Sequence, residues 1–332
     1  MAKKSYIESS LVNEDPVFEV PLRPQSLADF LGQKPIIDRL EVFVGAAKQR
    51  GESLGHCLFS GPPGLGKTTL ANILAKAMNT NLVVTSGPAI ERAGDLAGLL
   101  TGLKEGDVLF IDEIHSLSRV VEEYLYQAME DFSLDIMIDS GPNARSVRVD
   151  IKPFTLAGAT TRLGLLSEPL RTRFGFTCRL EYYDPETLNK IIQRTARLLN
   201  VKIDIESSMN IAKRSRGTPR VANHLLRWVR DFAQIKYNNQ IDKNVVDQAL
   251  NMLSIDEKGL DEMDLKLLQI MIDHYQGGPV GIHAIAASIG EEATTIEDVY
   301  EPYLIMNGLI KRTPRGREVT HLGYSHLGKK KE

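Results

Sequence analysis

The 332-residue sequence is poor in cysteine and tryptophan and has no long apolar run. Cysteine occurs twice, as Cys57 in "HCLF" and Cys178 in "FTCRLEYY", both beside apolar residues. Such positions argue for reduced core thiols and against a disulfide or a thiol-bound metal. No stretch reaches the about 20 apolar residues of a membrane helix. "MAKKSYIESSLVNED" lacks the apolar centre of a secretion signal. No membrane attachment and a cytoplasmic location are therefore expected. Neither sign of charge dominates: 40 Lys and Arg face 43 Asp and Glu, for a net charge of −3. A globally basic nucleic-acid coat is excluded, so any polyanion must be bound by a local patch. There is no internal repeat, and no low-complexity tract beyond "KKKE".

Apolar residues make up 42% and charged residues 25% of the chain, ordinary for a globular protein. The length exceeds what one core usually serves, so two or three domains are expected. From Cys57 to about Leu180, short apolar runs alternate with helical periodicity. "HCLFS", "LVVTSG", "DVLFID", "FTLAGATT" and "FTCRLEYY" read as strands. In "KTTLANILAKAMN", Leu70, Ile73, Leu74, Ala77 and Met78 share one helical face. Strands alternating with helices predict an α/β fold with a mostly parallel sheet flanked by helices. One insertion departs from this pattern. "LDIMIDSGPNARSVRVDIKP" alternates apolar and polar residues around Gly141-Pro142-Asn143, which predicts a β-hairpin with Ile136 and Ile138 facing Val147, Val149 and Ile151.

After "YYDPETLNKII" only helical patterns follow, to about residue 254. Beyond the polar junction "SIDEKGLDEMD", three helices are predicted at Glu262 to Tyr275, Ile282 to Ile289 and Thr294 to Met306, followed by "GLIKRTPRGREVTHLG". Three helices and a two-stranded ribbon outline a winged helix. The expected domains are residues 1–182 (P-loop α/β), 183–254 (all-α lid) and 255–332 (winged helix).

"GPPGLGKTT" fits G-x-x-x-x-G-K-[ST], with a strand before it and a helix after. Its glycines let backbone N–H groups turn toward phosphate oxygens, and the helix N-terminus adds partial positive charge. Lys67 is expected on the β- and γ-phosphates of ATP and Thr68 on Mg²⁺. "DVLFIDEIH" ends a buried strand in Asp112 and Glu113, where open α/β sheets bind ligands. Asp112 suits Mg²⁺, directly or through water, and Glu113 suits a general base that activates water. Thr160 or Thr161 could hydrogen-bond the γ-phosphate or that water. Arg171 or Arg173 in "PLRTRFG", and Arg220 in "SRGTPR", could neutralise charge developing in phosphoryl transfer.

"GPPGLGKTTLA", "FIDEIH", "LAGATTR", "LRTRFG" and "RGTPR", in this order and spacing, resemble the AAA+ ATPases. Together with "PLRPQSLADFLGQ" near the start and "EPYLIMNGLIKRTPRGR" near the end, the whole chain resembles the RuvB family of bacterial Holliday-junction branch-migration motors. The resemblance implies an ATPase that moves double-stranded DNA at Holliday junctions during recombination and repair. It also implies a homo-hexameric ring that works with a RuvA-like junction-binding protein and a RuvC-like resolvase. By the same resemblance, Gly64, Gly66, Lys67, Thr68 and Thr69 cradle ATP. Asp112 holds Mg²⁺, Glu113 activates water, and Thr161 is the sensor at the γ-phosphate. Arg173 is the finger that acts on a neighbouring subunit's ATP, and Arg220 is the second sensor. Leu22, Arg23 and Tyr183 hold the adenine and ribose end, Glu130 and Asp131 match an acidic stretch near the subunit boundary, and these two with Phe132 are expected among the ATP-binding residues. The hairpin around Pro142 matches the element that docks on RuvA.

A winged helix usually reads bases with its third helix. Here that helix carries Glu297, Asp298 and Glu301, an acidic face that phosphates should repel. The positive charge lies on Lys311, Arg312, Arg315 and Arg317, in and beside the wing. Arginines there are expected to hold phosphates without reading sequence. Arg312 and Arg317 match DNA-contacting positions of the family, whereas Ala293 stands where the family often has a further Arg. Two other readings differ in a sequence feature. A protein unfoldase wants an aromatic pore loop, but "GPAIERAGDLAGLLTGLKEGD" has no aromatic residue. A nucleotide-gated DNA adaptor without hydrolysis has no use for Glu113 and Arg173.

Overall fold

The computed structural model describes residues 5–12, 15–137 and 146–330. The chain divides into two compact units, Arg23–Glu181 on the one hand and Met1–Leu22 with Tyr182–Glu332 on the other.

Among the described residues, the first unit contains seven strands: β1 (Cys57–Ser60), β2 (Leu82–Ser86), β3 (Val108–Asp112), β4 (Ser133–Met137), β5 (Ser146–Asp150), β6 (Thr155–Thr160) and β7 (Phe176–Arg179). Five form one sheet in the order β2-β3-β6-β1-β7, and every pairing in it is parallel. The central strands β1 and β6 are buried along their whole length. This explains why their sequences read as continuous apolar runs rather than alternating ones. Leu58, Leu109, Ile111 and Leu156 from the sheet pack with Leu96, Leu100, Val121 and Leu125 from its helices. In the helix Lys67–Met78, Leu70, Ile73 and Leu74 are buried as the periodicity predicts, while Ala77 and Met78 are half-buried. Cys57 and Cys178 are both free and buried. Burial pushes the Cys178 thiol up to about 12 and the Cys57 thiol higher still, so neither is a nucleophile near neutral pH.

β7 is shorter than "FTCRLEYY" suggests. Beyond Leu180 the backbone bonds to loop groups instead: Glu181 N donates to Gln33 Oε1, and Tyr183 N to Gly217 O. Asp184 and Pro185 then start a helix, with the Asp184 carboxylate accepting from Thr187 N. β4 and β5 form the expected antiparallel hairpin, pairing Leu134 with Val149 and Ile136 with Val147. Leu134 is buried and Val147 exposed. Ile138 and the tip at Pro142 lie outside the described residues, as does the side chain of Ile136.

The second unit holds four lid helices, Pro185–Leu198, Ile205–Lys213, Pro219–Lys236 and Lys243–Met252, three of them N-capped by an aspartate. The head follows with helices Glu262–Tyr275 and Ile282–Ile289, within the bounds read from sequence. The third predicted helix is not continuous. It runs as a short helix Ala293–Thr295, a π-turn Ile296–Tyr300 and a helix Glu301–Met306. Pro302 is the cause we identify: it has no N–H to donate and its ring crowds the carbonyl four residues back, so the regular ladder cannot pass it. The ribbon pairs β8 (Ile310–Thr313) with β9 (Gly316–Val319). Gly316 has φ +137, and a Cβ there would lie 2.4 Å from the Val280 carbonyl oxygen. That close approach lets Val280 and Arg317 exchange two backbone hydrogen bonds near the turn end of the ribbon.

Arg216, at φ 53 in the loop before the helix Pro219–Lys236, is buried against the head. Its guanidinium pairs with Asp264 and, at 3.4 Å, with Asp261, donates from Nε to the Gly259 carbonyl, and lies 5.0 Å from the centre of the Tyr303 ring. Both carboxylates are buried as well. Removing one partner of such a cluster leaves uncompensated buried charge. Arg216→Ala is therefore expected to lower the stability of this unit by about 3–5 kcal/mol. The sole tryptophan, Trp228, lies in the same unit, so its fluorescence in a denaturant titration reads the effect; an unchanged midpoint would refute the assignment.

Candidate active site

The sheet order makes β3, β6 and β1 neighbours, so the loops leaving their carboxyl ends lie side by side. Ser60 is in register with Thr160, and Ile111 with Gly158, which brings the Gly-rich loop, Asp112-Glu113 and Thr160-Thr161 to one edge. A parallel sheet presents ligand sites at this edge.

The loop needs its glycines for space and for backbone angle. Gly61 has φ +131, and a Cβ would meet the Leu180 carbonyl oxygen at 2.5 Å; Gly66 has φ +107, with the Phe30 ring 3.0 Å from its Cβ position. Gly66 caps the helix Lys67–Met78 without a side-chain hydrogen bond, so the first N–H groups of that helix have no capping side chain. Lys67 is 7% exposed and folds back, donating from Nζ to the carbonyls of Gly61 and Pro62 at 2.8 and 2.9 Å. The ammonium therefore rests within the loop that phosphates would enter. Thr68 is half-buried and Thr69 buried in the first turn, and Gly64 lies in the loop at φ +77.

Glu113 sits at φ 47, just past β3. Its Oε2 accepts from Thr161 Oγ1 at 3.1 Å and lies 3.1 Å from His115 Nδ1. That same ring nitrogen is 2.9 Å from Thr160 Oγ1. Both threonines thus have partners, but it is Thr161 that touches the carboxylate. Asp112 accepts from Glu113 N at 2.9 Å. His115 was not singled out by the sequence argument, although "DEIH" puts it within one turn of Glu113. Among the described residues no cluster of three or more His, Cys, Asp or Glu could hold a metal ion unaided. That donor set suits nucleotide-bound Mg²⁺, which takes one or two carboxylates and fills its other positions with phosphate and water.

Arg173 follows the short helix Glu168–Thr172. Its guanidinium lies 4.5 Å from the centre of the Tyr126 ring, donates to the Tyr126 hydroxyl, and pairs with Glu130 at 2.9 Å. Arg173, expected as the finger, and Glu130 of the expected acidic stretch are therefore together within one unit. Tyr126, one helical turn before Glu130, went unassigned from sequence. Asp131 is exposed, whereas the Phe132 ring packs on His56 and Phe154. Arg23 gives its carbonyl to the Gln25 side chain.

In the other unit, Leu22 and Tyr183 are buried, and the Leu22 carbonyl accepts from Arg194 at 2.7 Å. Arg220 pairs with Glu19 at 3.1 Å, and Glu19 also lies 3.4 Å from His224 Nε2. In the wing, Arg315 is exposed at the ribbon turn. Lys311 pairs with Glu318 across the ribbon, and Arg312 and Arg317 both engage Glu301. The acidic face expected on the third helix is corrected by this geometry. Glu301 is fully buried, and Glu297 is paired with Arg317 at 2.6 Å, so these two acids serve as counter-charges to the wing rather than as a repelling surface.

Three family models cover nearly the whole chain. Residues 22–180 match the Holliday junction DNA helicase RuvB P-loop domain, 183–256 the RuvB AAA lid domain, and 257–328 the RuvB C-terminal winged helix domain. The chain is 76% identical, over 98% of both sequences, to the Holliday junction branch migration complex subunit RuvB of Protochlamydia amoebophila. It is 59% identical to that of Chlamydia pneumoniae, over 96% of this chain and 94% of the other. Its fold is similar to that of the Thermotoga maritima RuvB Holliday junction branch migration motor, with a TM-score of 0.86 and 50% identity, covering 93% of this chain and 99% of that one. With matches to all three domains and this identity along its length, the chain belongs to the RuvB family.

Proposed function

We propose that this protein is an ATPase that drives branch migration of Holliday junctions in recombination and repair. The observation that carries the reading is the contact of Glu113 with Thr161 beside a complete phosphate loop. A nucleotide-binding adaptor needs the loop but not a carboxylate held next to the sensor threonine. We assign the ATPase domain to residues 1–182, the lid to 183–254 and the DNA-binding head to 255–332, with the segment Met1–Leu22 of the first assignment grouped with the lid and head in the fold.

On ATP binding, the phosphates take the place of the Gly61 and Pro62 carbonyls as partners of Lys67. Gly64, Gly66, Thr68 and Thr69 supply backbone donors around them. Thr68 and Asp112 would hold Mg²⁺, which supplies positive charge to the phosphate oxygens. Thr161 and Glu113 orient a water, and Glu113 takes its proton. The water oxygen forms a bond to the γ-phosphorus as the bond to the bridging oxygen breaks. Leu22, Arg23 and Tyr183 hold the adenine and ribose end, and Arg220 senses the γ-phosphate. In a homo-hexameric ring, Arg173 leaves Tyr126 and Glu130 and reaches the ATP of the next subunit, near that subunit's boundary residues Glu130, Asp131 and Phe132. Arg312 and Arg315 hold DNA phosphates, with Arg317 behind them. The hairpin residues Ile136, Ile138, Val147 and Val149 are the docking strip for a RuvA-like partner, and a RuvC-like resolvase acts on the same junction. The exposure of Val147 supports that strip.

The decisive experiment follows a synthetic four-way junction with ATP, with and without a RuvA-like protein. ATP-dependent strand exchange that the partner stimulates is the expected result, and absence of exchange under both conditions overturns the proposal. Arg173→Ala is expected to bind ATP nearly as the parent does while steady-state turnover falls about 10³–10⁵-fold. Turnover at the parental rate in assembled rings would show that another residue is the finger. Gly61→Ala should abolish nucleotide binding in a fluorescent-ATP titration, because its Cβ collides with the Leu180 carbonyl; near-parental affinity would contradict that packing.

A further inference from the structure

The wing arginines are organised by a single acid. Glu301 is buried, with 0% of its side chain exposed. Arg312 donates to it from Nε at 2.7 Å and from Nη2 at 2.8 Å, one bond to each carboxylate oxygen. Arg317 donates to the same two oxygens from Nε at 3.0 Å and Nη2 at 3.2 Å, and its Nη2 also reaches Glu297 at 2.6 Å. Burial alone would push the Glu301 carboxyl up, but the hydrogen bonds from Arg312 and Arg317 prevail and hold it below the usual carboxylate range. It is therefore an anion at neutral pH.

Two features separate the arginines. Arg317 is 14% exposed and is tied to Val280 through its backbone, so it is a strut. Arg312 is 56% exposed and uses only its Nε and Nη2 edge on Glu301, which leaves the Nη1 end directed away from the carboxylate. Charge counting gives the Arg312–Arg317 cluster itself no net attraction for DNA: its two arginines face Glu297 and Glu301, and Lys311 is offset by Glu318, so of the wing's basic residues only the exposed Arg315 adds uncompensated charge. A neutral cluster binds a phosphate only through donors held in the right direction.

We infer that Glu301 is a positioning residue for DNA binding, a buried carboxylate that fixes the Arg312 guanidinium so that its outer edge meets a backbone phosphate, with Arg317 bracing the pair. This rests on the proposed reading of the wing as the DNA contact.

Orientation and plain charge predict opposite signs for Glu301→Gln. Removing an acid beside DNA should tighten binding and steepen its salt dependence if only net charge matters. If Glu301 positions Arg312, affinity for duplex should fall about 3–10-fold, and the slope of log affinity against log salt should flatten by about one ion. The assay is fluorescence anisotropy with the full-length chain and two duplexes of unrelated sequence. Unchanged or tighter binding by Glu301→Gln overturns the inference. Arg312→Ala separates the inference from its premise: if it binds both duplexes as the parent does, the wing is not the contact. Should Glu301→Gln fail to fold by circular dichroism, Arg312→Lys decides. Lysine keeps the charge but cannot make the two-pronged contact, so positioning predicts a loss close to that of Arg312→Ala, and parental affinity overturns it.

Discussion

In a parallel sheet every strand delivers its carboxyl end to the same edge, and this constraint organises the ATPase unit. With β3, β6 and β1 adjacent, three loops distant in sequence are forced together there. Gly61 can turn out of β1 only because it lacks a side chain where the Leu180 carbonyl approaches. Glu113 turns back at positive φ and meets Thr161 across the neighbouring strand end. Strand order and register thus bring the phosphate loop, Asp112, Glu113 and Thr161 together without further long-range positioning.

A second pattern recurs in both units. Arg173, Arg220 and Arg312, which we place on phosphates, each rest on a carboxylate of their own unit: Glu130, Glu19 and Glu301. The surroundings of these pairs differ. Arg173 with Glu130 is partly open, so a phosphate can replace the carboxylate at modest cost. Glu301 is buried and joined to two arginines, so it stays in place, and in the proposed reading Arg312 binds outward from it. The first kind of pair can exchange partners during a cycle; the second is permanent scaffolding.

Much of this was legible in the sequence because local rules produce it. The phosphate loop, the five sheet strands, the hairpin and the first two head helices follow from periodicity and turn residues alone. What was not legible is where a side chain goes after it leaves the backbone. Glu301 reads as one more acid on a polar helix, yet it is buried because Arg312 and Arg317 come back to it from a ribbon 11 and 16 residues later. His115 and Tyr126 were likewise invisible, since their roles depend on strand ends and a short helix brought near by the sheet. The break in the third helix was open to reading, because Pro302 stands in it, but the three-helix outline hid it.

That break has a consequence for how this head can vary. A π-turn is an α-helical turn with one residue added. Everything beyond Ile296–Tyr300, including Glu301 at the start of the next helix, is rotated by about 100° relative to an uninterrupted helix. The added residue thus works like an index notch, setting which way the following side chains point. Shortening the chain there by one residue would leave the apolar composition of the head almost unchanged and turn its anchoring acid off the wing, so the length of this segment, as well as its composition, carries information.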